Sequence, residues 1–380
     1  MTIQDAILPS GWIKPDAVFD GQSLVNGAAV RLDNGCVVDI SDDGLGHEVA
    51  GIITPGFFDL QVNGGGGVLY NQTPTNAGAA RIASAHQAFG TDGILATLIT
   101  DTPQVLDAAA ADLLAGPMPD HVKGIHIEGP HISLARKGTH KPQFVRPMDQ
   151  RTIDVVARLR AADIPVLITV APEATDVAQI AELADLGAVV SLGHTDCDAE
   201  TANAAFAAGA QLVTHLFNAM SQMHGRAPGL VGAALNSDAY ASIICDGIHV
   251  DRDMIGLAFR SRPNPDCMIL VSDAMPTVGG PDVFDLYGNS IALKNGQLLN
   301  ADNGLAGAHL TMRDAVRFCV ETVEIGMETA LRAAITSPAK LMGLSAEFSL
   351  AKGSAAYLLT PDWQMTSVQS QSPEPAVSTA

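Results

Sequence analysis

The sequence predicts an α/β fold: a (β/α)8 TIM barrel with a small β-sandwich domain built from both chain ends. Three observations predict it. From Thr54 to about Gly343, eight apolar, β-branched runs alternate with helix-forming, Ala-rich stretches, which is the pattern of βα units around a parallel barrel. On either side of that region, short apolar runs are broken by turn residues, as in small sheets. Five of the barrel runs end in residues that can bind a metal or move a proton, and strand C-termini are where barrels assemble their chemistry.

In chain order, residues 1–53 form the first part of the small domain, because AVFDGQSLVNGAAVRLDNGCVVDI alternates short runs with turns. Residues 54–343 form the barrel. Its expected strands are GIITPGFFDLQV, GILATLIT, KGIHIEGP, PVLITVAP, AVVSLGHT, QLVTHLFN, ASIICDGI and MILVSDAM. Such runs suit strands buried on both faces. NAGAARIASAHQAFG, TIDVVARLRAAD and ETANAAFAAGA read as helices between them. Residues 344–366, with FSLAKGSAAYLLTPDW, return to short strands that are expected to pair with the N-terminal ones. Residues 367–380, SVQSQSPEPAVSTA, read as a disordered tail rich in Ser, Pro and Gln.

Composition bounds the function. Hydrophobic residues make up 47% of the 380 and charged residues 16%, enough for a large core. A formal charge of −20 argues against nucleic acid or an anionic membrane as partner, while a small anionic substrate remains compatible with a locally positive site. No apolar stretch reaches membrane-spanning length, and MTIQDAILPSG lacks the basic start and apolar core of a signal peptide. Five cysteines without C-x-x-C spacing suit reduced thiols, so a cytoplasmic protein is expected.

Glu128, His194 and His215 end the third, fifth and sixth runs. A catalytic zinc takes three such ligands and keeps a position open for water. Each residue alone has an ordinary reading, a turn carboxylate or a satisfied histidine, but the three share one barrel mouth. Asp273 ends the eighth run in VSDAM. It suits a helix N-cap, and equally a proton shuttle beside a metal. The pattern points to a metal-dependent enzyme.

The set PGFFDLQVNGGGG, HIEGPH with KGTHKP, LGHTD, THLFNAMSQMHGRAPG, DGIHV, SDAM and LTM resembles the N-acetylglucosamine-6-phosphate deacetylase family of the amidohydrolase superfamily, in order over nearly the whole chain. The resemblance implies hydrolysis of the acetamide of N-acetylglucosamine 6-phosphate, with Glu128, His194 and His215 as metal ligands and Asp273 as acid/base. It implies that His140 lines the sugar and acyl site and that Asn218 and Ala219 contact the phosphate through their backbone. Arg226 and His249 would be the phosphate's cationic and polar partners, and Leu310 part of the site wall. It also implies a homodimer in which Arg226 can come from the neighbouring subunit. One divalent ion per subunit is expected, zinc first, with iron, cobalt or manganese compatible with the same ligands.

Three departures stand out. Gln61-Val62-Asn63 occupies the place where many superfamily members have His-x-His, so Gln61 is at most a weak metal or water contact. Ala227 follows Arg226 where an acidic residue is common, and His309 stands where a small or hydroxyl residue is expected. Alternatives are a deacetylase of N-acetylgalactosamine 6-phosphate, a hydrolase of another amide such as a cyclic one, and, from a different class, a non-catalytic sugar-phosphate sensor.

Overall fold

The computed structural model describes residues 6–8, 10–42 and 44–370. Eight parallel strands form the barrel: Phe57–Val62, Thr91–Ile99, Val122–Glu128, Val166–Val170, Val189–Leu192, Ala210–Val213, Tyr240–Ile243 and Met268–Leu270. Each overlaps one of the eight expected runs, four of them starting one or two residues earlier. Helices between them start on polar caps: Thr75, Asp149, Asp176, Asp198 and Asp251 each accept a backbone N–H of the first turn, satisfying groups that a helix start leaves open.

The first and eighth strands meet at a seam with little ladder pairing. Val62 bridges Ala274, and the N–H groups of Asn63 and Gly64 both donate to the Ala274 carbonyl at 2.9 Å. Below them, Oδ1 of buried Asp59 accepts from the N–H of Gln61 at 3.1 Å and of Ser272 at 3.2 Å. Side chains therefore help to close the barrel immediately beneath Gln61, Asn63 and Asp273.

The small domain draws on both chain ends. Its strands run in the order Ala6–Leu8, Met365–Ser370, Tyr357–Leu359, His47–Thr54, Gly11–Phe19, Ala29–Asp33, Cys36–Ser41, with Leu24–Asn26 beside Gly11–Phe19. An apolar cluster including Ile13, Val30, Leu32, Ile53 and Leu358 forms its own core. Met365–Ser370 is strand, so residues 367–370 are not tail: Ser367 pairs antiparallel with Tyr357, and the backbone of 368–370 pairs with Ala6–Leu8 in parallel register. Residues 371–380, the rest of the expected tail, lie outside the described residues.

An element that the sequence reading did not separate from the barrel follows the eighth strand. Val283–Leu286, Asn289–Lys294, Gln297–Leu299 and Leu305–Ala308 make a four-stranded antiparallel sheet. Its signal was present. Asn295-Gly296 joins two of these strands with both residues left-handed, φ 51° and 78°, the signature of a tight hairpin turn. The sheet packs Phe284, Leu286, Ile291 and Leu298 against Ile99 and Met275, and so becomes a wall of the barrel mouth. Among the described residues, no helix is long and apolar enough to cross a membrane.

Candidate active site

Glu128 is the last residue of the third strand, while His194, His215 and Asp273 each follow a strand by a few residues. His194, His215 and Asp273 have φ of 48°, 35° and 50°. A non-glycine residue in that region carries a cost of roughly 1–2 kcal/mol, and such strain persists where surrounding bonds over-determine it. Here they do: the His215 N–H donates to Ser242 Oγ at 2.8 Å, the Leu216 N–H to the Ser242 carbonyl at 2.7 Å, and the Ala308 N–H to the Asp273 carbonyl at 3.0 Å.

Glu128, His194 and His215 are buried, and their ligand atoms all lie within 4.8 Å of one another. His215 Nε2 is 3.0 Å from Glu128 Oε1 and 3.0 Å from His194 Nε2, and His194 Nε2 is 3.3 Å from the same oxygen. Bonds of 2.0–2.1 Å to a tetrahedral ion give donor–donor edges of about 3.3 Å. The triangle is close to one face of that tetrahedron, and its N/N/O set is the one zinc and its neighbours take. Nδ1 of His194 is 2.9 Å from the Arg136 carbonyl, so Nδ1 carries the proton and the Nε2 lone pair faces the cluster. Burial alone would raise the Glu128 carboxyl, but hydrogen bonds and charge from His194 and His215 hold it well below the usual range.

Asp273 stands beside this cluster. Asn63 Nδ2 donates to its Oδ1 at 2.6 Å and Gln61 Nε2 at 3.2 Å. Gln61 Nε2 also donates to Glu128 Oε1 at 2.9 Å. Gln61 thus turns its amide nitrogen, not its oxygen, to the two carboxylates, and bridges them as a donor. Burial first, then the neighbouring Glu128, pushes Asp273 up to about 6, against the opposing pull of His215, Asn63 and His249. A carboxyl so placed exchanges a proton near neutral pH.

A cavity of about 180 Å³ opens on these groups; Glu128, His194, His215, Asp273, His140 and His249 all reach its wall, as do Asn218 and Ala219. His140 Nδ1 lies 3.4 Å from the Thr100 N–H, which donates to it, and 2.7 Å from Thr100 Oγ1. Burial, then His194, pushes His140 down to about 3, so it is a neutral ring with its proton on Nε2. His249 keeps its proton more firmly than an ordinary histidine: burial would lower it, but Asp246 at 2.6 Å from Nδ1 outweighs burial. Phe217 and Ala219 are left-handed, φ 78° and 49°, which gives the FNAM turn its shape.

Two expected site residues stand elsewhere. Leu310 is 6% exposed and packed in the apolar core, not on the cavity wall. The chain turns inward after Ala308 to start the helix Met312–Glu321, which buries Leu310, and Leu305 and Gly307 supply the wall instead. Arg226 is exposed at the tip of a bridge between His224 and Ala227 and does not line its own chain's cavity. His309 is exposed, with Nδ1 2.9 Å from Thr277 Oγ1. His131 is held by Thr152 Oγ1 at 2.9 Å and the Pro147 carbonyl at 2.9 Å, a structural role. The sequence reading missed Thr100, which orients His140, and Asp246, which holds His249; the latter lay in view three residues before His249 in DGIHV.

Comparison with known proteins places this architecture. The amidohydrolase family model matches residues 52–371. The chain is 35% identical to an N-acetylgalactosamine-6-phosphate deacetylase of Shewanella sp. (strain ANA-3), covering 92% of this chain and 93% of that one. It is 31% identical to the N-acetylglucosamine-6-phosphate deacetylase of Haemophilus influenzae, covering 93% and 94%. Among solved structures, a mutant N-acetyl-D-glucosamine-6-phosphate deacetylase of Mycobacterium smegmatis in complex with N-acetyl-D-glucosamine-6-phosphate superposes with a TM-score of 0.85 at 28% identity, over 95% of this chain and 98% of that one. The Pasteurella multocida N-acetylglucosamine-6-phosphate deacetylase gives 0.84 at 29% identity, over 93% and 96%.

Proposed function

The chain belongs to the amidohydrolase family, and from that premise we propose that it hydrolyses the acetamide of N-acetylglucosamine 6-phosphate to glucosamine 6-phosphate and acetate. The observation that carries this reading is the convergence of Glu128, His194 and His215 beside Asp273 in one cavity. Those three residues would hold one divalent ion, zinc in first place. When bound, the ion supplies Lewis acidity to the amide carbonyl and acidity to water.

The chain's own residues do the rest. Asp273, as carboxylate, takes the proton from the attacking water and returns it to the amide nitrogen as the C–N bond breaks. Asn63 and Gln61 orient it through Oδ1. The Nε2–H of His140 is a donor for the carbonyl oxygen as negative charge develops there. Asn218, Ala219 and His249 take the 6-phosphate on the cavity wall. Arg226, exposed and away from its own cavity, would reach the phosphate of a neighbouring subunit in a homodimer. Free, scattered cysteines support the cytoplasm as the compartment.

The N-acetylgalactosamine epimer is a second reading, favoured by the 35% identity to a deacetylase of that name. The test is acetate release by the purified, metal-loaded protein from both 6-phosphorylated epimers and from the free sugars, with ring opening of a cyclic amide followed in parallel. Turnover of the glucosamine derivative above the others supports the first reading, turnover of the galacto epimer the second. Acetate from neither, with sugar phosphate bound, would leave the sensor reading.

A further inference from the structure

We infer that Asp246 is a positioning residue for the reaction: it fixes the ring of His249 so that Nδ1–H is engaged away from the ligand and Nε2 is the nitrogen offered to the substrate's phosphate. This rests on the deacetylase reading above. After the seventh strand, Tyr240–Ile243, the chain passes Ile244, which lines the cavity, and turns through Gly247 at φ 71°. Asp246 Oδ1 accepts the backbone N–H groups of Ile248 and His249, each at 2.8 Å. That half of the carboxylate would be enough to shape the turn. The other half does something a turn does not need: Oδ2 accepts Nδ1–H of His249 at 2.6 Å.

Both side chains are nearly enclosed, 9% and 10% exposed, and among the described residues Asp246 is the partner of the His249 ring. The charged groups that act on His249 are Asp246, Asp273 and His215. Of these only Asp246 is hydrogen-bonded to it, so Asp246 is the charged group that orients the ring. A ring held at backbone and Nδ1 by one carboxylate loses little rotational freedom when it meets a ligand, the economy that preorganised polar contacts rely on. Because Arg226 lies off the wall of its own cavity, His249, oriented by Asp246, stands with Asn218 and Ala219 as a same-chain contact there.

The experiment measures acetate release from N-acetylglucosamine 6-phosphate by metal-loaded protein. Asp246→Ala should raise KM at least about tenfold, the scale of a charged hydrogen bond, with kcat within about threefold. Asp246→Asn, which keeps an acceptor at Nδ1, should recover much of that loss. In a His249→Gln background, Asp246→Ala should change KM less than about twofold, because the group it positions is gone. An equal factor in both backgrounds, or a loss in kcat with KM unchanged, overturns the proposal. Should the Ala variant not fold, the wild-type proton spectrum decides: a strongly downfield Nδ1–H of His249 supports the dyad and its absence overturns it. Wild-type protein without turnover on this sugar phosphate counts against the deacetylase reading, and the same spectrum still decides the dyad.

Discussion

The side-chain amide of Asn63 donates to Oδ1 of Asp273 across 2.6 Å, joining the ends of the first and eighth barrel strands where the barrel closes. Seam and proton carrier are therefore one structure. Asp273 is held left-handed from below by the Val62–Ala274 bridge and from the side by two amides, with one oxygen occupied and the other left for chemistry.

Asp273→Asn keeps the shape of this junction and removes the proton acceptor. The expected outcome is a fall in kcat of roughly a hundredfold to ten-thousandfold with metal content unchanged. Steady-state kinetics with elemental analysis of the same sample checks both. Near-normal turnover would reduce Asp273 to a structural residue.

Activity should fall in acid. Asp273 acts first as a base, so it must be ionised. Its carboxyl is pushed up to about 6, and a bound cation beside it lowers that value, which places the limb at or below about pH 6. Protons also compete with the ion for His194 and His215. Excess metal should move that part of the limb to lower pH and leave the Asp273 part in place. A profile that stays flat down to pH 4.5 would contradict the assignment.

Metal content should be close to one tightly held ion per chain. Gln61 presents its amide nitrogen to Glu128 and Asp273, and a nitrogen that donates protons cannot ligate. Two equivalents surviving dialysis would reject the single-ion reading. Gln61→His should raise the affinity for a second ion.

Arg226→Ala should cut kcat/KM for the 6-phosphorylated sugar at least about tenfold and affect free N-acetylglucosamine far less. Mixed dimers of Arg226→Ala and Asp273→Asn subunits should regain part of the activity, because one hybrid site carries both intact residues. A mixture no more active than its parents would show that Arg226 acts within its own chain.

Asp59 offers a stability test. Burial pushes its carboxyl up to about 7 from 3.8. Between those values the native state holds a proton that the unfolded state has released, so stability falls as pH rises from about 4 to 7 and levels off above. Asp59→Asn cannot ionise. Its Tm relative to wild type should rise by at least about 3 °C across that window, as read by thermal melts at several pH values. A constant difference would mean that Asp59 ionises in the folded protein as it does in the unfolded chain.

The sequence by itself determined the barrel. Eight apolar, β-branched runs separated by helix-forming stretches have one economical use, a parallel sheet buried on both faces, and all eight contain strands. Residues at their C-terminal ends then share a mouth by topology alone, which is why Glu128, His194, His215 and Asp273 could be named before their distances were known. What followed from contacts distant in sequence was not legible. Leu310 was expected on the site wall, but the turn into Met312–Glu321 buries it and Leu305 and Gly307 line the cavity instead. The Ser- and Gln-containing end read as tail because its last three strand residues pair with Ala6–Leu8, far away in the chain. The direction of the Gln61 amide, the left-handed backbone of His194, His215 and Asp273, and the Asp246–His249 dyad were likewise decided in three dimensions. Local pattern sets which face a residue occupies; hydrogen bonds across the barrel set where its polar atoms point.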